Sequence, residues 1–237
     1  MPNFRALVLR PMERHTHHSI TRFTVIFIAL LNLPFAYSQI GNDKLNVTIE
    51  AALPSGRANA AYRNYLNGLV SVQPKLQYKF AKAWYGAVGL RYSYYTVSEY
   101  KVPKKTNGGE NTFGGYVEAG WNKWVGERIG LEIGVKTGVS QHIFTTGLTK
   151  ETGIQYVTAM FVQPTISFIL ASDEAVAYRW IIGYNIDGYD FKPYHIGQTS
   201  NGGYQPADFN KPSQSFLVGF AFSYYFGNPR SGDEINP

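Results

Sequence analysis

Residues 214–226 read QSFLVGFAFSYYF, and this stretch shows the pattern that decides the fold of the chain. Large apolar side chains occupy every second position from Phe216 onwards, and small residues such as Gly219 and Ala221 lie between them. Successive side chains of a β-strand point to opposite faces. A period of two therefore predicts a strand with one bulky apolar face and one face of small residues.

Seven earlier segments share this alternation. They lie at 44–53, 68–80, 84–95, 113–121, 129–140, 158–170 and 178–187. Each of the eight segments is about as long as a tilted strand that crosses a bilayer, which takes roughly 9–11 residues. The sequence therefore predicts an all-β fold, an eight-stranded antiparallel up-and-down transmembrane β-barrel.

The gaps between the segments alternate in length, which supports the same fold. Long polar gaps lie at 54–67, 96–112, 141–157 and 188–213, and short gaps lie at 81–83, 122–128 and 171–177. Long outer loops and short periplasmic turns are typical of bacterial transmembrane barrels. An even number of strands returns the C-terminus to the side on which the mature N-terminus starts.

Side-chain size predicts which face of the barrel points outward. A soluble barrel of the lipocalin type has its apolar face inside, whereas a membrane barrel has it outside. Here the polar face is rich in small residues, which suit a narrow lumen, and the apolar face carries the bulky ones. Two aromatic girdles are predicted on the outer face, from Trp84, Trp121 and Trp180 near the short turns and Tyr92, Tyr94, Tyr184 and Phe216 near the long loops.

Nine charged residues fall within the predicted strands, all on the face of small residues. They are Glu50, Lys75, Lys79, Arg91, Glu118, Glu132, Lys136, Arg179 and Asp187. An eight-stranded lumen is just wide enough to be filled by side chains, and charges buried there must pair. The pattern predicts an interior network of salt bridges, with a proton or small-ion path as the alternative.

The first 38 residues have the organisation of a secretory signal peptide. An apolar run at 24–35 follows an n-region rich in arginine and histidine, and small residues at Ala36 and Ser38 mark a cleavage site before Gln39. The run is shorter than the roughly 20 residues of a membrane helix. We expect a signal peptide at 1–38, with Met12 as an alternative start, then a barrel at 39–226 and a short polar periplasmic tail at 227–237.

The leader ending in Ala36-Tyr37-Ser38 and the closing strand Phe216–Phe226 resemble the small eight-stranded outer-membrane proteins, the outer membrane protein β-barrel domain family. The closing strand is similar to the C-terminal signal that the barrel-assembly machinery reads, although here 227–237 follow it. The resemblance implies a bacterial outer-membrane location. It also implies outer-membrane lipid as a partner and the assembly machinery as a partner during biogenesis.

Two segments match in kind and in strand position, 72–78 (VQPKLQY) and 162–168 (VQPTISF). The match predicts a repeat of two four-strand halves. Pro74 and Pro164 lie inside the predicted strands, where each removes one hydrogen-bond donor from the ladder. We expect a local bulge at each proline.

The chain has few residues that could act in catalysis or bind a metal. The chain has no cysteine, which excludes disulfides and thiolate metal sites, and without 1–38 its net charge of +6 falls to +3, which gives little support to a nucleic-acid partner. Beyond the leader, the histidines are His142 and His195, both in predicted outer loops. Ser140 lies two residues from His142, and strand parity directs both inward. We expect both histidines to be loop residues in water.

These observations predict no catalytic residues, no cofactor and no metal. The expected function is that of a non-enzymatic outer-membrane barrel with a structural or surface-interaction role, whose specificity lies in its loops and whose loop ligand is unknown. The alternatives are a lipid-modifying barrel enzyme of the acyl hydrolase type, a minor porin-like channel and a soluble lipid-binding barrel.

Overall fold

A computed structural model describes residues 44–81, 83–125, 128–172 and 175–226. Its strands are β1 (Leu45–Arg57), β2 (Leu66–Lys79), β3 (Trp84–Val97), β4 (Gly108–Trp124), β5 (Ile129–Thr146), β6 (Gln155–Ala171), β7 (Val176–Asp187) and β8 (Ser213–Phe226). Each strand pairs antiparallel with the next, and β1 pairs with β8, so the sheet closes into a barrel. The predicted fold class is confirmed. The predicted signal peptide 1–38 and tail 227–237 lie outside the described residues.

The long connections contain short helices. These are α1 (Ala60–Tyr65), α2 (Gly147–Thr152) and two one-turn 3₁₀ helices at Pro193–Ile196 and Pro206–Asp208. No helix within the described part of the chain is long and apolar enough to span a membrane. Several strands run further towards the loops than the sequence predicted, and β5 reaches 18 residues. The predicted loops 96–112 and 141–157 are accordingly shorter.

The exposure of side chains alternates along every strand, as the central part of β6 shows. Met160, Ile166 and Leu170 point outward and are exposed, whereas Gln163 and Ser167 are buried inside. The predicted orientation, with the apolar face outside, is therefore confirmed. This is the reverse of a soluble globular protein, which buries its apolar face.

Glycines of the lumen face make room for tyrosine rings. A Cβ on Gly89 would lie 2.5 Å from Cζ of Tyr116, and a Cβ on Gly120 would overlap the hydroxyl of Tyr85. Both tyrosines are buried. The small residues that the sequence places on this face thus do not leave an open channel, because rings from neighbouring strands occupy the space.

The expectation of bulges at the two prolines was wrong. Pro74 pairs in register with Ile49, and Pro164 pairs in register with Val135. On the other side, the ladders with β3 and β7 are interrupted at each proline and resume in the same register. A missing N–H thus interrupts the hydrogen bonds without shifting the strand, and the register shift in β2 lies between Gly68 and Val70 instead.

The matching segments of the repeat face each other across the lumen. β2 and β6 are four strands apart in the closed barrel, and Gln73 and Gln163 extend from them to meet. The Gln73 amide donates to Oε1 of Gln163 at 3.1 Å, and the Gln163 amide donates back to Oε1 of Gln73 at 3.3 Å. The two halves therefore contribute equivalent residues to one contact.

Candidate functional site

The middle of the lumen is organised around Lys75. Its ammonium lies 2.8 Å from Glu118 Oε2, 3.1 Å from Glu50 Oε1 and 3.4 Å from Glu132 Oε1. The Tyr85 hydroxyl also donates to Glu118, at 2.8 Å. Buried carboxylates of this kind are tolerated only where cations and hydrogen-bond donors surround them.

Two further cations complete this cluster. Lys136 pairs with Glu50 and donates to Oε1 of Gln73 at 2.8 Å. Arg179 pairs with Glu132, and its remaining donors reach Ser223 Oγ at 2.6 Å and the Tyr225 hydroxyl at 3.1 Å. Three cations thus face three carboxylates, and the cluster is electrically balanced.

Glu132 makes the most varied contacts within the cluster. Besides both cations, its Oε2 accepts hydrogen bonds from the Gln77 amide at 2.9 Å and the Asn122 amide at 3.2 Å. Its side chain is 2% exposed. Removing it would leave Arg179 without its carboxylate partner in the lumen.

The remaining predicted lumen charges lie elsewhere. Arg91 and Asp187 form a bidentate pair nearer the loops, with distances of 2.8 and 3.2 Å. Lys79 is half-buried at the turn end of β2. The structure therefore places eight of the nine residues at buried lumen positions, in two groups.

The group nearer the loops contains Ser140 and His142 and also Glu110, a lumen charge that the sequence pattern did not single out. His142 Nδ1 lies 2.6 Å from Glu110 Oε1, and its Nε2 lies 3.0 Å from Ser140 Oγ. Glu110 also accepts hydrogen bonds from Thr112 at 3.1 Å and from Tyr189 at 3.0 Å. Glu110 shares the strand parity of Glu118, so extending that parity into the predicted loop would have placed it in the lumen.

The placement of His142 in a solvated loop was therefore wrong. His142 belongs to β5, which continues past the predicted end of its strand, and the side chain is fully buried. The predicted inward direction of Ser140 and His142 agrees with the structure. Beyond Ser140 the outer face carries the polar residues Gln141 and Thr145 and the inner face carries Phe144, so the alternation that marks the strand is lost there.

Ser140, His142 and Glu110 have the hydrogen-bond order of a serine nucleophile, a base and an orienting acid. Access to them is closed. Ser140 is 1% exposed and Glu110 and His142 are fully buried, and the Tyr189 ring packs on the imidazole with 4.4 Å between the centroids. Among the described residues, the three form a link between β4 and β5 inside the barrel wall.

The four long connections cover the loop end of the lumen. A buried aromatic and aliphatic cluster fills the mouth: Ala61, Tyr62, Tyr65, Leu66, Tyr95, Val97, Val102, Phe144, Ala159, Tyr189, Phe191, Ile196 and Phe209. Asn59, also fully buried, holds two connections together. Its side chain caps α1 by accepting from the Tyr62 N–H at 3.0 Å, and it donates to the carbonyls of Phe191 at 3.0 Å and Lys211 at 3.2 Å. We call this assembly the loop cap.

The turn end is also closed. Ile169, Ala177 and Tyr225 form a small buried cluster there, and Trp124 packs against it. Side chains therefore fill the described lumen from one end to the other, with apolar clusters at both ends and charge clusters between them.

His195 belongs to the loop cap, so its prediction as a residue in water was also wrong. Its ring stacks on Phe144 with 5.1 Å between centroids and an interplanar angle of 14°, and it is 5% exposed. Its Nδ1 accepts a hydrogen bond from the Lys192 N–H at 3.1 Å. Burial, with a smaller contribution from the positive charge of Lys192, lowers the pKa of His195 to about 4.

We expect the loop cap to lose stability as the pH falls from about 6.5 to about 4. Between these two pH values the opened cap binds a proton at His195 and the closed cap does not, so lowering the pH favours opening. Above about pH 6.5 neither form is protonated at His195, and the closed cap has its full stability. The measurement is amide hydrogen exchange of 189–198 against pH, corrected for intrinsic rates. His195→Phe retains the stacking and should remove this pH dependence, and an unchanged dependence in that variant would contradict the assignment.

The comparisons with known proteins concern the fold. No family model matches the chain, and no curated protein matches it in sequence. Among solved structures, Neisserial surface protein A is 12% identical over 77% of this chain and 97% of that chain, with a TM-score of 0.44. Ail, the attachment invasion locus protein of Yersinia pestis, is 8% identical over 78% and 99% of the two chains, with a TM-score of 0.47.

The outer membrane protein OprG from Pseudomonas aeruginosa is also similar, being 9% identical over 81% of this chain and 100% of that chain, with a TM-score of 0.44. Likeness at this level says nothing about activity or ligands. The expected resemblance to small eight-stranded outer-membrane barrels is confirmed for the fold, by the closed antiparallel topology of the sheet.

Proposed function

We propose that the protein is a non-enzymatic barrel of the bacterial outer membrane, which holds its loop cap at the cell surface as a platform for interactions. The observation that carries this proposal is a filled, charged lumen inside a wall whose outer face is apolar on every strand. Exposed apolar side chains on the eight strands include Leu53, Leu76, Leu90, Val117, Val135, Ile166, Trp180 and Phe220.

A membrane location follows from the cost of that outer face in water. Monomeric soluble proteins rarely expose a contiguous apolar surface of more than a few hundred Å². A closed barrel satisfies its backbone hydrogen bonds within the sheet, so lipid is a suitable surrounding. Outer-membrane lipid and, during biogenesis, the barrel-assembly machinery are then its partners.

The filled lumen argues against two of the alternatives. A soluble lipid-binding barrel needs an apolar interior, whereas this interior holds Lys75, Lys136, Arg179 and their carboxylates. A channel needs a continuous aqueous path, whereas both ends of this lumen carry apolar clusters. A platform requires neither a cavity nor a path.

The location is tested by electrophoresis of outer-membrane fractions with and without boiling. We expect the unboiled protein to migrate differently from the boiled protein, because a closed barrel offers no open sheet edge and resists cold detergent. The same purified protein should give no stable conductance steps in a planar bilayer. Recovery as a soluble periplasmic protein, or large stable steps, would contradict the proposal.

The non-enzymatic part is tested with Ser140→Ala. Because Ser140 is buried and its hydroxyl is engaged with His142, we expect mass profiles of outer-membrane lipids to be the same for wild type and variant. Overexpression of the wild-type barrel should likewise leave lipid acylation unchanged. An acylation change that depends on Ser140 would overturn the proposal in favour of an acyl hydrolase.

A further inference from the structure

A shallow groove lies on the outside of the barrel, at the rim next to the loop cap. It has a volume of about 300 Å³ and is lined by Tyr94, Asn107, Gly108, Gly109, Asn111, Thr145, Thr146, Gly147 and Lys150. The ladder brings these residues together, because Tyr94 pairs with Asn111 between β3 and β4, and Gly109 pairs with Thr145 between β4 and β5. The groove is separate from the lumen.

The lining of this groove is rich in unused hydrogen-bonding groups. Asn107 and Lys150 are exposed and Thr145 is half-buried, and within the described part of the chain their side chains make no hydrogen bond to another residue. The Asn111 side chain uses only its oxygen, which accepts from the Tyr92 hydroxyl at 3.1 Å. A few polar groups placed in a concavity fix the orientation of a ligand and provide specificity. Amide, hydroxyl and ammonium groups together suit a ligand that presents many oxygens.

The charge and the position of the groove restrict the chemical class of its ligand further. Lys150 is the charged residue of the lining, so an anionic group is favoured. Tyr94, Asn111 and Thr145 stand on the outer face of their strands, at the level of the upper aromatic girdle. In a membrane barrel that girdle lies at the interface, beside the lipid head groups.

We infer that this groove binds the phosphorylated sugar head group of an outer-leaflet glycolipid, with Lys150 contacting the phosphate and Asn107, Asn111 and Thr145 contacting the sugar oxygens. The inference rests on the proposed function for the membrane orientation. The groove lies at the lower end of the range for ligand pockets, roughly 300–1,000 Å³, which suits one sugar ring with its phosphate.

The test is native mass spectrometry of the full barrel in detergent, titrated with a bisphosphorylated glycolipid and with the same lipid after dephosphorylation. We expect Lys150→Gln to weaken binding of the phosphorylated lipid about fivefold, the upper end for one exposed ion pair. The wild type should bind the dephosphorylated lipid as weakly as Lys150→Gln binds the phosphorylated lipid. Lys150→Gln should not weaken binding of the dephosphorylated lipid further. Asn107→Ala should weaken both lipids alike.

Lys101→Gln is the matched control, because it removes an exposed lysine of the loop end that does not line the groove. We expect it to change binding less than twofold. Equal effects of the two lysine variants, or equal binding of both lipids by the wild type, would overturn the inference. Competition by free glucosamine 1-phosphate at the concentration of the glycolipid would overturn the lipid as the source of the head group.

Failure of this inference and failure of the proposed function give different results. One outcome is that unboiled protein from outer membranes shows the gel shift while Lys150→Gln weakens binding of the phosphorylated and dephosphorylated lipids equally. In that case the groove is not the binding site, and the platform proposal stands. If the protein is absent from the outer membrane, the proposed function fails before any lipid is added.

Discussion

Glu132→Ala should lower the free energy of unfolding of the barrel by about 3–5 kcal/mol, the usual cost of removing one partner from a buried ion pair. The variant leaves the Arg179 guanidinium in the lumen without its carboxylate, and Lys75 loses one of its three. The measurement is the urea dependence of unfolding in lipid vesicles, followed by the difference in migration between unboiled and boiled samples.

Two further variants make this expectation specific to burial. Glu99→Ala breaks the exposed pair with Lys105, whose N–O distance is 3.4 Å, and should cost less than about 1 kcal/mol. Changing Glu132 and Arg179 together to Gln places neutral amides at both positions and removes both charges, so part of the lost stability should return. Equal costs for Glu132→Ala and Glu99→Ala would show that the lumen network does not stabilise the barrel.

Asn59→Ala should open the loop cap while the barrel remains closed. The change removes the N-cap of α1 and the donated hydrogen bonds to the connection between β7 and β8, about 3 kcal/mol in total. Trypsin cleavage at Arg63 should then become faster by a factor on the order of 100, because cleavage follows the population of the opened form. The gel shift of the unboiled barrel should persist.

Asn59→Asp distinguishes the two roles of this side chain. Aspartate retains the oxygen that caps α1 but cannot donate to the carbonyls of Phe191, Phe209 and Lys211. We therefore expect Asn59→Asp to be cleaved as fast as Asn59→Ala. Tyr204→Phe, which removes the acceptor of the 2.6 Å hydrogen bond from the Asn64 amide, is the control and should change cleavage by less than about threefold. Wild-type protection in Asn59→Asp would mean that helix capping alone holds the cap.

Alternation along the strands predicted most of the fold. It predicted all eight strands, the outward apolar face and eight of the charged residues of the lumen, because a half-buried strand must separate its two faces at a period of two. The prediction failed where both faces are polar, as at 108–112 (GGENT) at the start of β4. The strand continues there by backbone pairing with β3 and β5, which leaves no apolar signal in the sequence.

The loop cap could not be predicted from the sequence, for a different reason. Asn59 bonds to carbonyls that lie 132 to 152 residues away in the chain, and no periodic pattern relates those positions. The burial of His142 and His195 likewise depends on which connections fold inward over the mouth. Glu110 was within reach, because strand parity alone assigns it to the lumen once β4 is extended.

The contact between Gln73 and Gln163 has a consequence for how the two halves of the chain differ. Each amide donates and accepts, so the contact is self-complementary, as at the axis of a dimer of identical subunits. In the register of the ladders, Glu50 is opposite Gln73 and Lys136 is opposite Gln163, so these two charges occupy equivalent positions and pair with each other. Two identical half-barrels would place like charges there. Joining the halves in one polypeptide allows opposite charges at equivalent sites, an asymmetry that no homodimer of such halves could encode.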